Sequence, residues 1–189
     1  GGMNNAQFLL DRRIPAGDWN TKTAQKDLNE MLKAKYPSAG DLVKWVSNYQ
    51  VFFDTQKIDS LSLDYNAIKQ EVVNRLKKDK RVQYACDMEK ASIESIPEEI
   101  KYRIINGYNR ERSGGVQVIL KPAYYSNGMK GTTHGAWNGY DTHIPLVFMG
   151  WGIQHGASTK PCYMTDIAPT VCALLHIQAP NGCIGTPIF

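Results

Sequence analysis

An amphipathic helix set between two strand-like runs constrains this chain more than any other feature. Asp64 opens the helix, and Tyr65, Ile68, Val72, Val73 and Leu76 recur at helical spacing. Before it, residues 41–54 carry Leu42, Val43, Trp45, Val46, Tyr49, Val51, Phe52 and Phe53. That β-branched and aromatic content, broken at Ser47-Asn48, predicts two short strands or a hairpin. After the helix, Val82, Tyr84 and Cys86 alternate in strand fashion. Helices layered on a sheet are therefore expected, an α/β chain with a ferredoxin-like α+β insert.

Thr21 or Thr23 can cap an earlier helix with Leu28, Met31, Leu32 and Tyr36 on one side, closed by Pro37 and Gly40. Ser95 is expected to cap, and Pro97 to start, a helix carrying Ile100, Ile104, Ile105 and Tyr108. Val116-Gln117-Val118-Ile119-Leu120 reads as a buried strand closed by Pro122. A further strand is expected over Leu146-Val147-Phe148-Met149, and a helix from about Thr165 to His176. The expected division is a linker and helix over 1–40, the insert over 41–113, and strands, a loop and a helix completing a larger sheet over 114–189. Two strands with no further neighbours make a poor domain. The last part is thus expected to bury its apolar faces against the insert or by self-association.

Composition narrows the classes. With 42% hydrophobic and 21% charged residues, the chain has the make-up of an ordinary globular protein. No apolar run approaches the ~20 residues of a membrane span. The opening Gly1-Gly2-Met3-Asn4-Asn5 has no basic-then-apolar leader and reads as a cut boundary, so it says nothing about location. A net charge of +4 is too mild for a nucleic-acid partner. The run Lys77-Lys78-Asp79-Lys80-Arg81 is read as cations at a helix's carbonyl end. Cys86, Cys162, Cys172 and Cys183 lack Cys-x-x-Cys spacing, so no structural zinc site is expected. Cys172 reads as a small core residue; Cys162 and Cys183 can bridge in an oxidising compartment.

Gly131-Thr132-Thr133-His134-Gly135 carries the chemistry. A histidine boxed by small residues suits backbone that must approach an ion closely. Spacing alone favours a hydrogen-bonding loop histidine, because one imidazole cannot make a site that needs three or four protein ligands. Asp141 and His143 follow in Tyr140-Asp141-Thr142-His143. They can orient a ligand from behind, although structural hydrogen bonds at a loop–strand junction are the preferred reading. Thr165 and Asp166 are expected to satisfy free backbone donors at a helix start. His155 reads as a surface residue, and His176 suits a helix C-terminus.

The His134 loop, the Tyr140 to Gly150 segment and Tyr163-Met164-Thr165-Asp166-Ile167-Ala168-Pro169-Thr170 together resemble the C-terminal end of the alkaline phosphatase superfamily. The likeness is to its periplasmic threonine-nucleophile phosphatases, in the branch shared with type I phosphodiesterase–nucleotide pyrophosphatases. It extends through Gly107-Tyr108-Asn109-Arg110-Glu111-Arg112-Ser113-Gly114-Gly115, Val118-Ile119-Leu120-Lys121-Pro122 and the stretch from Thr165 to Pro187. It is looser from Phe8 to Asp54, where Arg13-Ile14-Pro15-Ala16-Gly17 also fits. The resemblance implies that His134 is a ligand to one of two zinc ions in a hydrolase of small phosphate esters, placed in the periplasm or secreted. In that family the threonine nucleophile, an Asp-x-x-x-His stretch and an Asp-His-Gly motif lie upstream of the matched region. The chain alone is therefore expected to hold no zinc stably and to be inactive. A nucleotide pyrophosphatase/phosphodiesterase or a sulfatase is the alternative within the superfamily. A non-catalytic α/β binding module is the alternative outside it.

Overall fold

The computed structural model describes residues 2, 5–126 and 128–188; Gly1, Met3 and Asn4 of the opening lie outside them. The chain divides into two compact units, the first ending at Ile144 and the second beginning at Pro145.

The first unit is built on an antiparallel four-stranded sheet. Its strands are β2 (Val43–Ser47), β3 (Gln50–Phe53), β4 (Val82–Asp87) and β5 (Val116–Leu120), in the order β2-β3-β5-β4. β2 and β3 form a hairpin with Ser47 opposite Gln50. Asn48 and Tyr49 make its turn with φ of 48° and 58°. Positive φ at both central residues is the turn whose twist matches paired strands. β5 lies between β3 and β4 and pairs antiparallel with both. β3 and β4 are therefore parallel to each other, joined through helix α4 (Tyr65–Leu76). A split β-α-β unit with a third strand inserted is the ferredoxin-like arrangement.

Both faces of the sheet are covered. On one side, Ile68, Val72, Val73 and Leu76 of α4 pack with Leu28 and Leu32 of α2 (Thr21–Lys35). They meet Val46, Val51, Ala85, Val116, Val118 and Leu120 from the strands. On the other side, Ile100 and Ile104 of α5 (Glu98–Gly107) meet Cys86, Met88 and Ile119. Burial on both faces explains why β5 reads as an almost unbroken apolar run. Asn29 of α2 is buried and binds backbone on three counts. Its Oδ1 accepts from Leu42 N (3.1 Å) and Val43 N (2.8 Å), and its Nδ2 donates to Val43 O (2.9 Å). A buried side-chain amide so placed fixes where the helix crosses the start of β2.

Several expectations change. The cap of α2 is Asn20, accepting from Thr23 N at 3.0 Å, and not Thr21 or Thr23. Helix α5 begins after Pro97 without a side-chain cap, so Ser95 does not serve as one. The sheet takes β5 from beyond residue 113 and is covered by α2 from before residue 41. Leu146-Val147-Phe148-Met149 is not a strand, and Val147 and Met149 are 80% and 95% exposed. An apolar run makes a strand only where a neighbour supplies ladder partners. The last helix, Ile167–Leu174, is shorter than expected and follows a 3-10 turn at Met164–Asp166. All four cysteines are free thiols.

Short segments carry the loop of interest. α1 is Ala6–Asp11, and β1 (Gly17–Asp18) pairs parallel with β6 (Tyr124–Tyr125), which follows β5 closely. Helix α3 (Thr55–Ser60) links β3 to α4. The four-residue α6 (Gly139–Thr142) and α7 (Ile167–Leu174) complete the order.

Candidate functional site

His134 stands on the irregular stretch between β6 and α6, tied down on both sides. The buried Tyr125 donates its hydroxyl to Gly131 O at 2.8 Å, just ahead of the histidine. Gly128 N donates to Asp18 Oδ1 at 2.9 Å and Gln7 N to Met129 O at 2.9 Å, joining the loop to β1 and α1. Ser126 N donates to the Tyr49 hydroxyl at 3.1 Å. Burial, more than any neighbouring charge, raises the Tyr49 phenol above its ordinary pKa, so it stays neutral. Behind the histidine, the Tyr140 hydroxyl accepts from Ala123 N (2.9 Å) and from Asn138 Nδ2 (3.0 Å). Gly135 has φ 98°, and a Cβ there would sit 3.5 Å from the Tyr49 ring, so glycine answers a backbone requirement.

The His134 ring is 80% exposed, while the Asp141 carboxylate beside it is 4% exposed. Asp141 Oδ1 lies 3.3 Å from His134 Nδ1, at the long end for such a contact. Asp141 Oδ2 accepts from Ala136 N at 2.8 Å. Of Asp141 and His143, it is Asp141 whose carboxylate lies beside the His134 ring. His143 is exposed just past α6, where its backbone N–H bonds Gly139 O. Among the described residues no three His, Cys, Asp or Glu side chains gather closely enough to hold an ion. The chain thus offers one imidazole and its carboxylate partner, which fits one corner of a metal site and no more.

The other residues singled out from sequence have structural settings. In the second unit, Asp166 accepts from Tyr163 N (2.8 Å) and Thr186 N (3.0 Å). The Thr186 N–H first, and then that of Tyr163, hold its carboxyl below the ordinary range. The Thr170 hydroxyl donates to Asp166 O and accepts from Ile188 N at 3.1 Å. Asp166 therefore satisfies backbone donors as expected, though across the unit as well as at its own turn. A Cβ on Gly185 would collide with the Thr165 carbonyl. His155 and His176 are exposed.

Sequence reasoning missed the anchors Tyr49 and Asp18, whose partners Ser126 and Gly128 are distant in the chain, and also Tyr125 and Tyr140, whose partners lie nearer in sequence. It also missed Lys69, fully buried on α4. The Lys69 ammonium meets Asp87 (2.9 Å) and Glu89 (2.5 Å) and lies 4.7 Å from the Tyr65 ring centre.

Comparison with known proteins defines the class first. A solved structure of wild-type alkaline phosphatase PafA superposes with a TM-score of 0.93 at 43% identity, covering 100% of this chain and 36% of that one. A multiply substituted variant of that enzyme gives 0.92 at 44% identity. The chain has the fold of the matched part of that enzyme. In sequence the chain is 43% identical to alkaline phosphatase PafA of Elizabethkingia meningoseptica over 189 residues, and 43% identical to alkaline phosphatase PhoV of Synechococcus elongatus over 187. It is 45% identical to a Myroides odoratus protein named calcium-transporting ATPase. The chain spans 34% of the length of each of these three relatives. No family model matches it. The chain is a C-terminal portion of an alkaline phosphatase-like protein.

Proposed function

We propose that this chain is the part of a zinc-dependent phosphate monoester hydrolase that contributes one histidine ligand, and that it is inactive by itself. The observation that carries this reading is the His134 loop, strapped at both ends yet presenting its ring to the outside. An exposed imidazole on a strapped loop is accessible to an ion, as a ligand must be. Zinc, when bound, stabilises charge on the attacking and leaving oxygens of a phosphoryl group. This chain's share is to hold the His134 imidazole in place through Tyr125, Tyr140, Asp18 and Asp141. The remaining ligands and the nucleophile belong to the longer protein, and the substrate is a small phosphate ester met in the periplasm or outside the cell.

The test assays the chain, the full-length parent and the parent with His134→Ala, each with zinc. Substrates are a chromogenic phosphate monoester, a diester, a sulfate ester and ATP. The chain alone should be silent and the parent should favour the monoester. His134→Ala should lower kcat/KM more than about a hundredfold, beyond the 10–100-fold typical of losing an outer partner of a ligand. Turnover by the isolated chain, or a parent indifferent to His134→Ala, overturns the reading.

A further inference from the structure

We infer that Asp141 is the positioning residue for His134, fixing the tautomer of the ring and tying it to closure of the loop. The part of this inference that concerns metal affinity rests on the proposed function; the part that concerns the proton does not. Asp141 has two oxygens with two separate tasks. Oδ2 accepts the Ala136 N–H at 2.8 Å, which closes the turn after the histidine, and Oδ1 faces His134 Nδ1 at 3.3 Å. An ionised carboxylate only accepts hydrogen bonds, so it selects the form of the neutral ring that carries its proton on Nδ1. Nε2 is then bare and lies on a ring that is 80% exposed. The selecting carboxylate is itself 4% exposed, so water competes little for it. The single buried side chain thus sets which nitrogen is offered and shapes the backbone that offers it. His143, two residues on, is exposed and makes no such contact among the described residues.

Asp141→Asn separates these tasks. A carboxamide keeps one oxygen for the Ala136 N–H but turns an NH2 donor toward Nδ1, which favours the proton on Nε2 and blocks that atom. Long-range 1H–15N correlation of the imidazoles in the labelled chain, recorded at alkaline pH, reads the tautomer directly. Wild type should show His134 protonated at Nδ1, and Asp141→Asn should move the proton to Nε2 with Ala136 amide protection retained. In the full-length parent, competition with a chelator should show zinc affinity 10–100-fold weaker for Asp141→Asn. A wild-type ring protonated at Nε2 overturns the inference without need of any variant. If His134→Ala abolishes zinc binding while Asp141→Asn leaves it unchanged, the positioning role fails and the metal reading stands. If zinc binding ignores both substitutions while the tautomer responds to Asp141, the metal reading fails and the ring assignment stands.

Discussion

Single hydrogen bonds at the His134 loop have separable consequences. Tyr125→Phe removes the donor to Gly131 O and leaves the ring in its buried place. Net loss of one such bond is about 0.5–1.5 kcal/mol. Denaturant unfolding should show a loss in that range, with faster amide exchange confined to the loop from Gly128 onward. An unchanged loop would mean the hydroxyl does not hold it. Asp166 makes a pH prediction. The Thr186 and Tyr163 N–H groups depress its folded pKa below the unfolded value. Its contribution is therefore complete above about pH 4 and is lost as pH falls through the lowered folded value. Amide protection at Tyr163 and Thr186 should fade in that acid window, and Asp166→Asn should remove the dependence. Protection insensitive to pH in the wild type would contradict this account.

At the scale of elements, the buried Lys69 cluster joins α4 to the end of β4. Asp87 and Glu89 both point at its ammonium, and Lys69 lowers the Glu89 carboxyl through their hydrogen bond. Removing one partner of a buried pair leaves an uncompensated charge and costs about 3–5 kcal/mol. Lys69→Ala should shift the urea midpoint accordingly, and Lys69→Ala with Asp87→Ala should cost less than the sum of the two singles. Strict additivity would mean the pair is not coupled. This cluster marks where the sequence stopped being legible. Helix α4 was readable because five apolar residues share one face, and the hairpin because its turn interrupts an aromatic and β-branched run. A lysine on the same face as Ile68 and Val72 carries no sign of two carboxylates eighteen and twenty residues away. The apolar run at residues 146–149 misled for the converse reason: its pattern was right for a strand, but a ladder needs a neighbour that its own unit does not contain among the described residues. His134 was visible in its box of small residues. Asp141 was visible only as a candidate, because four-residue α6 brings it back onto the ring in a way that spacing cannot show.

For the whole molecule, the contrast between the two units matters most. The first buries both faces of its sheet, whereas the second exposes Val147, Met149, Trp151 and Ile184 by 80% or more. Exposed apolar side chains in such number favour association. Sedimentation of the isolated chain should show a concentration-dependent shift to larger species, absent from the full-length parent; a monomer at every concentration would contradict the expectation. The central claim is that His134 is a metal ligand of an alkaline phosphatase-like hydrolase. Zinc-edge anomalous diffraction from crystals of the full-length parent tests it most directly. The account predicts a peak about 2.0–2.1 Å from His134 Nε2, the distance of a zinc–imidazole bond, with Asp141 at the opposite nitrogen. A map with no peak at that ring would contradict it, while a peak on the Nδ1 side would leave the ligand in place and contradict only the role given to Asp141.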